Sequence, residues 1–305
     1  MTGGHGVPYS SPAAFRRALT DRLRALAAPH GPWPLTDLQR QFAYDRLLAR
    51  LYAVDDGWIV KGATALLARH IAVRHTLDID VFRTTRQADA ERDLRVALTL
   101  DIGDWFTFRA ARGGAVADGG KAVRVPVAAY LGSTRWASFH VDVVADGIHM
   151  TGTPDTVPPL TELEIPGLVR VDYLAYPIVD HIADKACAIL ERHGPDQRPS
   201  TRFKDLVDLP ALTGYARVQA EDQRAAIFSE AEHRGLTLPT RFDVPDYDLW
   251  KPHYQAEARR AVVPVPPSLD EALLAVRPYL DPVLDGTAAG AWHPREQAWR
   301  PASRH

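Results

Sequence analysis

Residues 58–82 read WIVKGATALLARHIAVRHTLDIDVF, and the order of patterns in this stretch decides the fold. Trp58 to Val60 make a short apolar strand, Lys61-Gly62-Ala63-Thr64 is where it turns, and a helix is expected from Ala63 to about Ile71. From Leu77 to Phe82 the chain alternates as a strand does, which puts Asp78, Asp80 and Phe82 on one side and Ile79 and Val81 on the other. Carboxylates projecting together repel and shift each other's pKa unless a cation neutralises them, so an Asp-x-Asp strand in an apolar protein suggests a hard divalent metal. The competing reading is an exposed edge strand with solvated aspartates. The preceding turn weighs against that reading, because free backbone N–H groups at a helix start, with the Thr64 hydroxyl, suit a triphosphate. Taken alone, a Gly-Ala-Thr turn is equally a plain helix entry with Thr64 as its cap.

Outward from this stretch, two helices are expected upstream. Phe15, Leu19, Leu23 and Leu26 recur at helical spacing behind Ser11-Pro12. Leu38, Phe42, Leu47, Leu48 and Leu51 line one side of a second helix, with Arg40, Arg46 and Arg50 on its other sides, until Asp55-Asp56-Gly57 stops it. Downstream come a helix near 88–100 and strands near 105–110, 122–130 and 138–144, the first two joined by the hairpin loop RGGAVADGGK. In the last strand His140 and Asp142 share a face, so a third carboxylate can meet the first two across a sheet, or stand alone on a half-exposed strand. His140 reads as a satisfied strand-face residue rather than a ligand. Beyond Ile178 strand patterns give way to helices at 178–192, 202–212, 219–234, 247–262 and 269–284. The expected class is α/β (α+β), with a mixed-sheet core and its scaffold helices in residues 1–175 and a helical domain in 176–305.

Composition narrows the function. The 305 residues, 46% hydrophobic and 24% charged, are those of a folded protein, and a formal net charge of -2 argues against whole-molecule attraction to nucleic acid. One cysteine, Cys187, makes neither an intramolecular disulfide nor a zinc ligand set, and no signal or membrane-spanning stretch is legible, so a cytoplasmic protein is expected. GGAVADGGKA imitates a Walker loop but has Ala115 at the first required glycine and Ala122 at the required Ser/Thr. No His-Glu-x-x-His, paired-Cys or Gly-x-Ser-x-Gly motif supports zinc or serine-hydrolase chemistry.

A Gly-small-Ser/Thr turn, then Asp-x-Asp on a strand and a later single Asp on another strand, resembles the signature of the DNA-polymerase-β-like nucleotidyltransferase superfamily. More narrowly, WIVKGATALL followed by RHTLDIDVF is similar to the AbiEii/AbiGii toxin family, which includes the MenT-type toxins of type IV toxin–antitoxin pairs. QFAYDRLLARL ahead of the first strand and VRPYLDPVL with its tryptophan-containing tail extend the likeness over roughly residues 36 to 300. The family often has Gly-Gly where this chain has Gly62-Ala63, which narrows the room for phosphates.

The resemblance implies a nucleotidyltransferase (polymerase-β-like) core that uses Mg²⁺, with Asp78, Asp80 and Asp142 as metal ligands and NTP as substrate. It places nucleotide contacts at Lys61, Gly62, Ala63, Thr64, Thr76, Lys185 and Arg202, and matches Lys185 to the family's triphosphate-contacting lysine and Asp205 to its last motif. Lys185 falls on the apolar stripe Ile178, Ile182, Ile189, where an ammonium needs an anionic partner or must snorkel past the core. Asp205 and Asp208 can also favour a helix start through its dipole, and that is the preferred reading for Asp208. The implied acceptor is the 3′ end of tRNA, whose blocking stops translation, with Arg69, Arg74 and Arg202 as candidate phosphate contacts. A cognate antitoxin of winged-helix regulator type and no membrane partner complete the expectation. The alternatives are a nucleotide-binding interaction protein without turnover, and transfer to a Ser or Thr hydroxyl of a protein.

Overall fold

The computed structural model describes residues 6–115, 122–145 and 150–301, and the chain divides into two compact units. One comprises Met1–His70, Thr76–Ile148 and Thr156–Ala175; the other comprises Ile71–His75, His149–Asp155 and Tyr176–His305.

The first unit opens with α1 (Pro12–Leu26), whose Ser11 hydroxyl accepts the Ala14 N–H at 3.2 Å while Pro12 starts the helix. After α2 (Leu35–Val54) come β1 (Trp58–Lys61), α3 (Gly62–Ala68), β2 (Asp78–Arg83), α4 (Gln87–Thr99), β3 (Phe106–Ala110) and β4 (Gly114–Ala115). They are followed by β5 (Ala122–Leu131), β6 (Thr134–Ala145), β7 (Asp155–Val157) and β8 (Tyr173–Ala175). The strands form one mixed sheet in the order β3-β5-β6-β2-β1-β8-β7, with β4 paired to β5. β2 runs parallel to β6 and β1 parallel to β8, while β1–β2, β5–β6 and β3–β5 are antiparallel. The Tyr52 hydroxyl of α2 ties β1 to β8, donating to the Trp58 carbonyl and accepting the Leu174 N–H, both at 2.6 Å. Of the RGGAVADGGK loop, residues 116–121 lie outside the described residues.

Strand alternation gives the sheet two unlike faces. Ile79, Val81, Val141 and Val143 are buried on the side where Phe139 meets the Tyr44 ring of α2 edge-on at 4.8 Å between centroids. The opposite side presents Asp78, Asp80, His140 and Asp142. Burying an aliphatic side chain of this size contributes roughly 1.5–3 kcal/mol, which fixes the register, since a slip of one residue would turn valines outward and aspartates inward.

Helix α2 departs from the expected amphipathic pattern. Arg46 and Arg50 are buried, at 1% and 0% exposure, because the helix is enclosed rather than half-exposed. Arg50 grips Asp104 with two bonds of 3.0 and 2.7 Å, and its remaining donors reach the Leu100, Arg46 and Phe106 carbonyls at 2.8–2.9 Å. A buried guanidinium is tolerable when every donor is satisfied in this way.

The second unit contains α5 (Ile178–Leu190), β9 (Arg192–His193), β10 (Arg198–Pro199), α6 (Phe203–Thr213), α7 (Ala220–Arg234), α8 (Tyr247–Ala258), α9 (Leu269–Leu284), β11 (Ala291–His293) and β12 (Ala298–Arg300). α5 packs on α6 and α7, and α6 on α8 and α9. Buried Trp292 closes the far end, its indole N–H donating to the Thr213 carbonyl at 2.7 Å and its ring against Tyr279 and Trp299. The two hairpins β9–β10 and β11–β12 correct the expectation that strands end before Ile178; strands of two or three residues carry no readable alternation. Among the described residues, no helix is long and apolar enough to cross a membrane.

Removing the Arg50 counter-charge tests the buried pair. Asp104→Ala is expected to lower the unfolding free energy by about 3–5 kcal/mol in urea titrations, and the double change Arg50→Met with Asp104→Leu by less than that single one.

Candidate active site

The site begins at the end of β1. Gly62 has φ +52°, a left-handed conformation that disfavours a side chain, and a Cβ there would lie 2.8 Å from Asp80 Cγ and closer still to Oδ2. Glycine is thus required twice over, by its own backbone and by the carboxylate beside it. Two residues on, Thr64 is fully buried and its Oγ1 accepts the Asp80 N–H at 3.0 Å, fastening the start of α3 to the middle of β2. Ala63 is buried as well, at 8% exposure. Thr76 grips the same strand from below, its hydroxyl donating to the Asp78 carbonyl at 3.1 Å and accepting the Asp78 N–H at 3.4 Å.

Strand pairing then gathers the acids. Asp80 is the Cα partner of Asp142 on parallel β6, and Asp78 that of His140. Lys61 on β1 pairs with Asp80, and Arg124 on β5 with Asp142, so one rung across the sheet reads Arg124, Asp142, Asp80, Lys61. Arg124 donates from Nε and Nη2 to the two Asp142 oxygens at 2.8 and 2.6 Å, and Nη2 also reaches Asp78 Oδ2 at 3.4 Å. His140 Nδ1 lies 3.1 Å from Asp78 Oδ1. The Asp142 bonds raise the Arg124 pKa, so the guanidinium stays charged throughout the working pH range.

The donor chemistry fits magnesium: the three acids offer only hard carboxylate oxygens, and one guanidinium nitrogen touches both Asp78 and Asp142, which places them within reach of a common cation. Among the described residues no three His, Cys, Asp or Glu side chains stand as a finished metal cage. Both Asp142 oxygens are turned to Arg124 instead. A groove of about 630 Å³ lined by Arg16, Arg17, Thr20 and Ser133 shares no residue with this face, so concavity and the carboxylate rung point to different places.

A second charge cluster occupies the second unit. Buried Lys185 on α5 donates to Asp205 at 2.6 Å and Asp208 at 2.9 Å, both on α6. Arg202 Nε bonds Asp205 at 2.7 Å, and Arg74 holds Asp208 with two bonds of 2.9 and 2.7 Å. Burial alone would lower the Lys185 pKa and raise that of Asp205, but the opposite charges outweigh it, leaving the lysine raised and the aspartate lowered.

Asp208 therefore differs from its reading as a helix-start aspartate: it is fully buried between two cations. Of the arginines expected to meet RNA, Arg69 is 4% exposed and Arg74 is committed to Asp208, while Arg202 keeps a half-exposed side chain. Arg124 was missed because its alignment with Asp142 depends on strand register. The one available signal was its place as the single charge among Ala122, Pro126, Ala128 and Tyr130 on alternate β5 positions.

Similarity to known proteins bears on both units. The family model described as Nucleotidyl transferase AbiEii toxin, Type IV TA system, matches residues 46–275. No curated protein matches the chain. Among solved structures, MenT4, a nucleotidyltransferase toxin from Mycobacterium tuberculosis H37Rv, is similar with a TM-score of 0.50 at 15% identity, covering 72% of this chain and 74% of that one. JHP933 from Helicobacter pylori is similar with a TM-score of 0.38 at 15% identity, covering 63% of this chain and 73% of its own. The MenT4 likeness shows a shared fold, and the family match, which spans more than half of the chain, goes further: this protein belongs to the AbiEii nucleotidyl transferase toxins of type IV toxin–antitoxin systems.

Proposed function

We propose that the protein transfers a nucleotide from an NTP, with Mg²⁺, to the 3′-terminal hydroxyl of tRNA, the hydroxyl oxygen bonding to the α-phosphorus as pyrophosphate leaves, and that the blocked tRNA halts translation. The observation that carries this reading is the shared rung of Asp80 and Asp142 on parallel strands, with Asp78 two residues away on the same face. Asp78, Asp80 and Asp142 would hold the metal. Bound there, Mg²⁺ supplies positive charge to the phosphates as the nucleotidyl group moves. Gly62 keeps the turn free of a side chain where the phosphates approach, and Lys61, Ala63, Thr64 and Thr76 shape that turn and hold β2 in line with it. Asp142 completes the metal site or accepts the proton of the attacking hydroxyl. Lys185, Asp205 and Arg202 enter as nucleotide-handling groups on the family resemblance. A winged-helix type of antitoxin is the partner that would restrain the activity.

Two measurements test this, and a third tests the buried cluster around Lys185. Incubation with Mg²⁺, tRNA and each labelled NTP is expected to label the RNA with at least one base, and Asp80→Asn to reduce labelling about a hundredfold or more. Label on protein, seen as added nucleotide mass, would instead move the acceptor to a Ser or Thr hydroxyl; NTP binding with no transfer would leave an interaction protein. Gly62→Ala is expected to cost about 1–2 kcal/mol of stability for its positive φ, yet to lower transfer at least tenfold, because the new methyl displaces the Asp80 carboxylate. Lys185→Ala leaves two buried acids short of a cation and is expected to destabilise the protein by on the order of 3 kcal/mol in chemical denaturation.

A further inference from the structure

The family match assigns no task to Arg124, yet the acidic face is organised around it. A two-pronged guanidinium contact engages both oxygens of a carboxylate and sets a positive charge against them, and the Arg124 side chain delivers one to Asp142 while its Nη2 extends to Asp78. Arg124 is set on a strand directly opposite its target, so little conformational freedom is lost in making the contact. Its side chain is 41% exposed and that of Asp142 13%, so the arginine sits on the open side of the pair and has somewhere to go when it lets go.

We infer that Arg124 is a built-in competitor for the divalent cation: it binds Asp142 and Asp78 together when no metal is present, and a metal gains Asp142 only as the guanidinium leaves. The inference rests on the reading of Asp78, Asp80 and Asp142 as metal ligands. Its physical basis is that a divalent cation and a guanidinium are like charges drawn to the same carboxylates, so each weakens the other's hold and part of the free energy of the ion pair is subtracted from that of metal binding. The released guanidinium needs a new anion, and the phosphates of an NTP are one. Metal and nucleotide should therefore favour each other's binding, with Arg124 as the link.

The test is direct Mn²⁺ binding, with free Mn²⁺ read by electron paramagnetic resonance, on the full chain and on Arg124→Gln, Arg124→Lys and Asp80→Asn, each checked for native helix content by circular dichroism. Arg124→Gln is expected to bind Mn²⁺ about tenfold more tightly than the unmodified protein. Arg124→Lys, which keeps the charge but loses the fork, is expected to bind about threefold more tightly. Adding a non-hydrolysable NTP should tighten Mn²⁺ binding several-fold in the unmodified protein and much less in Arg124→Gln. Mn²⁺ binding that is lost in Asp80→Asn but no tighter in Arg124→Gln would overturn the role of Arg124 and leave the metal site standing. Absence of saturable binding even in Arg124→Gln, where the competitor is gone, would overturn the metal reading and this inference with it. Should the glutamine variant fail to fold, the lysine variant decides the same question by the same comparison.

Discussion

Asp80 and Asp142 face each other across neighbouring parallel strands, where backbones lie about 4.8 Å apart. Two carboxylates at such a spacing repel by roughly 3–4 kcal/mol at an effective dielectric of about 20, a large share of the stability of any domain. The sheet can hold them only beside opposite charge, and it has that on both flanks of the rung, Lys61 on β1 and Arg124 on β5. Valines and an aromatic on the reverse face lock the register that keeps the acids in line, so packing on one side of the sheet maintains an electrostatic tension on the other.

Three charge clusters among the described residues are handled in different ways, and the difference follows exposure. Every donor of Arg50 is met inside a closed core, so its pair with Asp104 has no other partner to exchange with and serves cohesion. Lys185 with Asp205 and Asp208 is equally enclosed, and joins α5 to α6. The acids of the open sheet face are balanced by Arg124, whose side chain is partly in water. Charges that can trade partners are the ones suited to binding something charged.

Sequence patterns made the centre of the site legible and its margins not. Alternation from Leu77 to Phe82 and from Phe139 to Val144 was sufficient to orient Asp78, Asp80 and Asp142, because each strand has one apolar face to read against. The same logic failed for α2, where an arginine every few residues looks like a solvated side but is enclosed by neighbouring elements. Arg124 escaped notice, and Asp208 was read as a helix-start aspartate, for a different reason: Asp142 lies 18 residues from the one and Arg74 134 residues from the other, and pairings over such separations are set by tertiary packing rather than by any local period. Strands of three residues, such as β7 and β8, fall below the length at which a period exists at all.

The chain leaves the sheet at Gly62 and comes back to touch the same point at Asp80, with the Thr64 hydroxyl sealing the return. The excursion between is a closed circuit whose two ends are held in mutual contact. Inheritance should treat those ends as one character, since enlarging either side chain crowds the other. The stretch enclosed between them is tied down at Thr64, Arg74, Thr76 and Asp78, so a change of length is tolerable only where it leaves the contacts of those residues in place.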